Sequence, residues 1–592
     1  MIKKITQTFF AFLTLNAYSQ KYPTDILARI KRVENEIAER ITINNKFHTL
    51  KERMDYYKIP GISVAVVKDY KIEWAKAYGY ADVAHRIPMT TQTLIPPGSI
   101  SKSFNALAFL KLAQEGKIDL NTDINTLLKS WQFPYDSLSK GKKITLSQLL
   151  SHTAGLSVYG GYDGYDPKGY VPTLLQQIIG IESLGIPAVK SLFEPGKEYE
   201  YSGGGISLSE LILTDQSKQP YDVFLKNYIL TPLGMKGSRF SVYPPQKNWK
   251  QKVALGYDDG ILAEKSNNNK VFIGQSMGGL WTTPIEVAKY IIEIQKSIIG
   301  KSNKVLNKEY ALKHLERVIG DVTIGSYVQD REETKYFFHD ASNWGHSGVY
   351  FGTLNGGNGV VIFTNHKQHK LNYDILNTVG RVYGWSGFIK PENVNTITVP
   401  KEKFKKFEGF YLFENSISHI YQKKDGLYLW SGDEDKIYFT KQNEFINVNF
   451  PAVKSFVYNN NHEVIGYTRK VGDENYPPAI KVENLDTLNI QTEEIVRLGY
   501  HLLRLDTKKA KQCFQNALHK NANDLHAKIG SGLVFLIESN FDKSLKIFTE
   551  ILSTHINDKN NPRILIFDNL ERYKALNTIL FNKTIQKLKI QF

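Results

Sequence analysis

Apolar residues recur at spacings of three and four through Ile26, Ile30, Val33 and Ile37, which predicts helix from about residue 22 to 57. Gly61-Ile62-Ser63-Val64-Ala65-Val66-Val67 and Ile72-Glu73-Trp74-Ala75-Lys76-Ala77-Tyr78-Gly79 read as two strands of a hairpin turning at Asp69-Tyr70. From Ser99 to Glu115 the chain is apolar nearly all round, through Phe104, Leu107, Ala108, Leu110 and Leu112, and Gly116 follows as a stop. That is the pattern of a buried central helix. A mostly helical stretch is predicted to about residue 300. Strands are predicted from Trp344 to Phe351 and from Gly359 to Thr364, and a helix over 371–384. Strands at both ends with helices between them predict one α+β domain, residues 20–390, whose sheet unites the two ends.

Beyond residue 400 short aromatic strands take over: Gly409–Phe413, Gly426–Trp430, Lys436–Phe439 and Ser455–Tyr458. Turn signals such as Lys424-Asp425-Gly426 and Asn459-Asn460-Asn461 separate them, as in a small antiparallel β domain, sandwich-like or barrel-like, over residues 395–480. Residues 485–592 return to helical spacing. Ala510, Phe514 and Ala517 recur as Ser544, Phe548 and Ile551 after 34 residues, and Gly499-Tyr500 finds counterparts in Gly532 and Phe535. This tail resembles a pair of tetratricopeptide repeats, although an ordinary helical cap could show two such degenerate copies. As a repeat it is a candidate surface for a protein partner.

The 592 residues suit several domains rather than one core. Met1-Ile2-Lys3-Lys4 is a positive start, Phe9–Leu13 opens a short apolar run, and Ala17-Tyr18-Ser19 offers a cleavage site. Residues 1–19 therefore read as a signal peptide, and a periplasmic or secreted bacterial protein with no transmembrane anchor is expected. The formal charge is +16, but the lysines are scattered and no dense basic run interleaved with aromatics appears, so no nucleic-acid partner is inferred. One cysteine, Cys513, leaves no intramolecular disulfide.

Candidate chemistry begins with Gly98-Ser99-Ile100-Ser101-Lys102 at the head of the apolar helix. Ser-x-x-Lys on a helix sets the lysine one turn from the hydroxyl, within reach as a base, and a helix N-terminus favours developing negative charge. The motif alone decides little. Ser137–Lys140 and Ser139–Lys142 also match it, and a serine there could simply cap a core helix. Tyr201, in Glu198-Tyr199-Glu200-Tyr201-Ser202-Gly203-Gly204-Gly205, could shuttle protons beside a lysine, and on residues alone Tyr199 competes with it. Gly345-His346-Ser347-Gly348 begins a predicted strand whose edge could supply N–H groups to an oxyanion. His366 and His369 lack the companion ligands a metal site needs, and no Gly-rich phosphate loop follows a strand, so no metal and no cofactor are expected.

Together these motifs resemble the serine β-lactamase-like family: class C β-lactamases, penicillin-binding proteins, related esterases and D-amino-acid peptidases. The resemblance covers about residues 55–385. It includes Leu149–Leu156, Pro195-Gly196 ahead of Tyr201-Ser202-Gly203, the turn Gly278-Gly279-Leu280, and His346-Ser347-Gly348 in the place of the family's third motif. It implies an antiparallel sheet flanked by helices and an acyl-enzyme on Ser99. Lys102 and Tyr201 would activate the serine, with Tyr201 preferred over Tyr199. The N–H groups of Ser99 and Val349 would hold the oxyanion, His346, Ser347, Gly348 and Gly203 would border the substrate, and His152 would be structural. Two departures count against an efficient β-lactamase or a carboxypeptidase: Gly203 stands where the family often has Asn, and His346 where it often has Lys. An ester- or amide-cleaving serine hydrolase acting on a small molecule or peptide is the expected activity. A β-lactamase or penicillin-binding D,D-peptidase is the alternative, and a non-catalytic scaffold the alternative of another class.

Overall fold

The computed structural model describes residues 22–591 apart from residue 39, residues 161 and 163, and the segments 244–251, 264–269, 449–451, 472–473, 486–489 and 555–561. The signal peptide expected at residues 1–19 lies outside the described residues. No helix among the described residues is long and apolar enough to cross a membrane.

Strands β1 (Gly61–Lys68) and β2 (Lys71–Asp82) form the expected hairpin. Asp69 and Tyr70 at its tip both have positive φ, 51° and 61°, the hand of turn that matches strand twist. Five more strands complete an antiparallel sheet: β3 (Ile87–Pro88), β4 (Tyr327–Arg331), β5 (Thr334–Asn343), β6 (His346–Thr353) and β7 (Gly359–Thr364). Their order is β3-β2-β1-β7-β6-β5-β4, so the two ends of the domain meet where Val64 of β1 pairs with Ile362 of β7.

Helices α1 (Thr24–Asn35), α2 (Ser101–Gln114), α3 (Gly203–Ser217), α4 (Pro284–Ile298) and α5 (Lys370–Val382) belong to this domain. Because side chains alternate along a strand, β1 and β7 serve two cores. Ile62, Val64, Val66, Val360 and Ile362 pack with α1 and α5, whereas Ala65, Val67, Val361 and Phe363 pack with α2 and α4. Ten consecutive residues of α2, Ser101 to Leu110, are buried. Its polar members are therefore paired: Ser103 Oγ donates to the Gly325 carbonyl at 2.8 Å, and Asn105 Nδ2 donates to Ser209 Oγ at 2.9 Å.

The single helix predicted over 22–57 is instead α1 and a second helix, Leu50–Tyr56, separated by the strand Ile41–Ile43. Thr49 restarts the helix with a capping box to Glu52, and Ile41–Ile43 pairs with Glu392–Val394, a long-range contact that helical periodicity does not reveal. The C-terminal β unit is a closed eight-stranded barrel: β8 (Gly409–Phe413), β9 (Ser416–Lys423), β10 (Gly426–Trp430), β11 (Glu434–Lys441), β12 (Glu444–Asn447), β13 (Val453–Tyr458), β14 (Val464–Val471) and β15 (Glu474–Val482). Its interior is filled by side chains such as Phe407, Phe439, Phe445 and Phe456. Six helices follow: α6 (Thr492–Leu502), α7 (Thr507–Lys520), α8 (Leu525–Ile537), α9 (Phe541–Thr554), α10 (Pro562–Tyr573) and α11 (Thr578–Gln591). Tail and outer barrel share one core, in which Phe410, Ile417 and Trp430 meet Leu498, Leu502 and Phe514. A methyl on Gly499 would stand 2.7 Å from the Phe514 ring, and one on Gly532 2.5 Å from the Phe548 ring, so both helix pairs use the same close approach.

Candidate active site

Ser99 lies in a 3-10 turn, Gly98–Ile100, that runs directly into α2. Neither serine caps the helix: Ser101 Oγ donates to the Gly98 carbonyl at 2.7 Å and accepts from Leu280 N at 3.1 Å, which ties the turn to the Leu280 segment. Ser99 Oγ accepts instead from Lys102 Nζ at 3.0 Å and from the Tyr201 hydroxyl at 2.7 Å. The structure thus brings Ser99, Lys102 and Tyr201 into one cluster. The decoy lysines lie at the surface, where Lys140 and Lys142 pair with Glu194 at 3.5 and 2.5 Å rather than with a serine. Tyr199 is part-exposed, its hydroxyl 3.1 Å from that of Tyr327.

Lys102 is 1 % exposed, and burial alone pushes its ammonium down to about 7. Nζ also donates to the Met277 carbonyl at 2.9 Å, which aims the amine at Ser99. Burial raises the Tyr201 phenol to about 12 against the lowering effect of its bond to Ser99, so it stays protonated at neutral pH. His152 stacks on the Tyr201 ring at 4.3 Å, and its Nδ1 accepts from Ser202 N at 3.1 Å. Burial holds this imidazole neutral, well below its usual range, so its role is to position the tyrosine. Gly203, also buried, opens α3 behind Ser202, whose Oγ caps the helix through Gly205 N at 2.8 Å.

The four residues expected on the strand edge are not there. His346, Ser347, Gly348 and Val349 belong to β6, which is enclosed by β5 on one side and β7 on the other. His346 is buried with Nε2 donating to the Ala254 carbonyl at 3.1 Å. Ser347 Oγ is engaged by Thr364 and the Gln368 carbonyl at 2.9 and 3.1 Å. Gly348 lies against the Phe363 ring, and Val349 packs into the α1–α5 core. The strand beside Ser99 is β5. Its outer edge is paired with β4 only from Thr334 to Phe338, which leaves 339–343 without a strand neighbour there among the described residues. A methyl on Gly98 (φ +60°) would stand 3.3 Å from the Ser342 carbonyl, so Ser342 faces the Ser99 turn, and in a strand a residue's N–H and C=O point to the same edge.

His339, three residues before Ser342, is buried on the α2 side of β5. Burial and the nearby Lys102 charge push it down to about 4, and its ring meets Tyr327 edge-on at 5.2 Å. The displacement has a simple origin: Trp344-Gly345, with Gly345 at φ +83°, is the two-residue turn between β5 and β6 rather than the start of a strand.

In front of Ser99 opens a cleft of about 440 Å³, walled by Tyr159, Tyr162, Phe272 and Trp344, with Asn343 and Lys367 at its polar side. Sequence reasoning missed Met277, His339, Ser342 and Lys367. The alternating strand that ends at Trp344-Gly345 was the available signal for the second and third; nothing local marks Lys367.

The family model described as Beta-lactamase matches residues 48–379. The chain belongs to the beta-lactamase family. This is a family of serine hydrolases, and its matched span holds the whole Ser99–Lys102–Tyr201 cluster. Protein flp of Staphylococcus aureus (strain MW2) is 29 % identical over 279 residues, 46 % of this chain and 52 % of that protein. The chain thus spans about half the length of the curated relatives it matches. The octameric penicillin-binding protein homologue from Pyrococcus abyssi shares the fold with a TM-score of 0.50 at 22 % identity, covering 71 % of this chain and 94 % of that one.

Proposed function

We propose that this beta-lactamase-family chain is an exported serine hydrolase that cleaves an ester or amide bond through an acyl-enzyme on Ser99. The observation that carries this reading is the pair of contacts on one oxygen, Lys102 at 3.0 Å and Tyr201 at 2.7 Å, with Lys102 held at about 7. Near neutral pH a large share of Lys102 is the free amine. The amine takes the proton of Ser99 as Oγ bonds to the substrate carbonyl carbon, and the carbonyl electron pair moves onto oxygen. The N–H groups of Ser99 and Ser342 are the donors placed to hold that oxyanion, in place of Val349. As the tetrahedral adduct collapses, the leaving group takes a proton from Tyr201, which is replenished from Lys102. Water then repeats the sequence in reverse and frees Ser99.

The aromatic walls of the cleft favour an acyl or leaving group with a flat apolar part. The strand beside Ser99 presents a neutral histidine, His339, where the family often has lysine, and Gly203 offers no side-chain amide to hold a substrate. The two departures favour an esterase or peptidase over an efficient β-lactamase, with any fixed charge on the substrate met from outside that strand. Export rests on the character of residues 1–19.

Intact-mass spectrometry after treatment with a fluorophosphonate, and separately with a penicillin, tests the reading. A phosphonyl adduct that disappears in Ser99→Ala is expected. Absence of any adduct on the wild-type protein overturns the hydrolase reading. A lasting penicilloyl adduct overturns the esterase preference in favour of a penicillin-binding peptidase.

A further inference from the structure

Among the described residues walling the cleft, Lys367 is the one charged side chain. It comes from the segment after β7, remote in sequence from Ser99. Its Nζ pairs with Asp258 Oδ2 at 2.5 Å. The same oxygen faces Nη2 of Arg572, at the end of tail helix α10, at 3.6 Å. Next to it Asp259 pairs with Lys58 at 2.6 Å and with Arg504, from the tail, at 3.7 Å. Arg504 in turn donates to the Arg572 carbonyl at 3.0 Å, which joins the two tail arginines. Four cations thus surround two carboxylates.

The carboxylates are firmly placed. Tyr257 N donates to the Gly345 carbonyl at 3.0 Å and to the Asn365 carbonyl at 3.1 Å, so the Tyr257-Asp258 backbone is stitched between the Trp344-Gly345 turn and the Lys367 segment. A flexible lysine is held at the cleft by a partner shared with the tail, and the share Arg572 takes of Asp258 leaves more of the Lys367 charge for a ligand.

We infer that Lys367 is the specificity-determining residue by which the cleft favours substrates carrying a carboxylate beside an apolar acyl group, and that the helical tail strengthens this preference through Arg572, which shares Asp258 with Lys367. The inference rests on the hydrolase reading for the reaction but not for the binding step. Lys367 supplies from outside the β5 strand the cation that His339 does not.

The test uses the full chain and two aromatic esters of the same size, one ending in a carboxylate and one in a neutral methylamide. The readouts are KM and kcat in the active protein and calorimetric Kd in Ser99→Ala. Lys367→Met is expected to raise the carboxylate-to-neutral ratio of both KM and Kd about five- to tenfold, the scale of one partly exposed charge-assisted contact. Lys367→Arg returns the ratio to the wild-type value, and 0.5 M NaCl, by screening Lys367, raises the wild-type ratio and so narrows the gap to Lys367→Met. Arg572→Met raises the ratio about twofold, because Asp258 is then left to Lys367, while Asp258→Asn lowers it. A ratio unmoved by Lys367→Met overturns the specificity claim, and equal behaviour of wild type and Arg572→Met overturns the role of the tail. If neither ester is turned over by the wild type, the hydrolase reading fails, while the Kd ratio still decides for or against Lys367.

Discussion

Lys102 beneath the N-terminal sheet and Lys454 in the barrel are both pushed by burial down to about 7. Their surroundings differ in kind. Lys102 points at a serine hydroxyl that opens onto a cleft. Lys454 donates to Asn447 Oδ1 and to the Ala452 carbonyl, Asn447 donates to Asp435, and the Phe445 ring lies 5.9 Å from the lysine nitrogen. The barrel lysine is satisfied by an amide and a carbonyl as part of a packed interior. A lowered lysine is thus raw material for catalysis, and geometry decides whether it is used.

The sharpest way to break this comparison is to remove each amine. Lys102→Met is expected to lower kcat about a thousandfold or more on any ester the enzyme accepts, as loss of the base for an alcohol nucleophile does. Lys454→Met should leave kcat/KM within twofold; an equal loss in the two variants would abolish the distinction. Tyr201→Phe keeps the His152 stack and removes one hydroxyl, so a loss of about a hundredfold, mostly in kcat, is expected from steady-state kinetics.

A smaller effect is on stability. A lysine whose folded pKa is depressed binds fewer protons folded than unfolded between about 7 and its model value of 10.5, so stability rises with pH across that window. Below about 7 both states are charged and the slope vanishes. Urea unfolding from pH 7 to 10 should show a shallower rise for Lys454→Met than for wild type, and an unchanged slope would show that Lys454 does not titrate as its burial requires.

The sequence carried the hairpin β1–β2, the all-round apolar α2 and the aromatic barrel strands because each is a local pattern with one stable reading. It separated Ser99 from its decoys by the apolar helix behind it, and the resemblance chose Tyr201 over Tyr199. The third motif misled for a physical reason. His339 and His346 stand in neighbouring strands with similar composition, and only the lack of a strand partner beside 339–343 tells which edge meets Ser99. Pairing is a long-range property. So are the Met277 carbonyl on Lys102 and the reach of Lys367 into the cleft, each made by segments far apart in the chain. Four of the eight barrel strands were missed, those with polar or broken alternation such as Glu474–Val482, which carries Pro477-Pro478.

The most direct test of the central claim, that Lys102 is the neutral base for Ser99, is the pH dependence of the second-order rate of fluorophosphonate labelling, followed by intact mass. The free amine is the active form, so the rate should fall as pH drops, with a single acid limb of apparent pKa near 7. A rate that stays flat from about pH 5.5 to 9 would mean that a group other than Lys102 takes the proton, and would contradict the account.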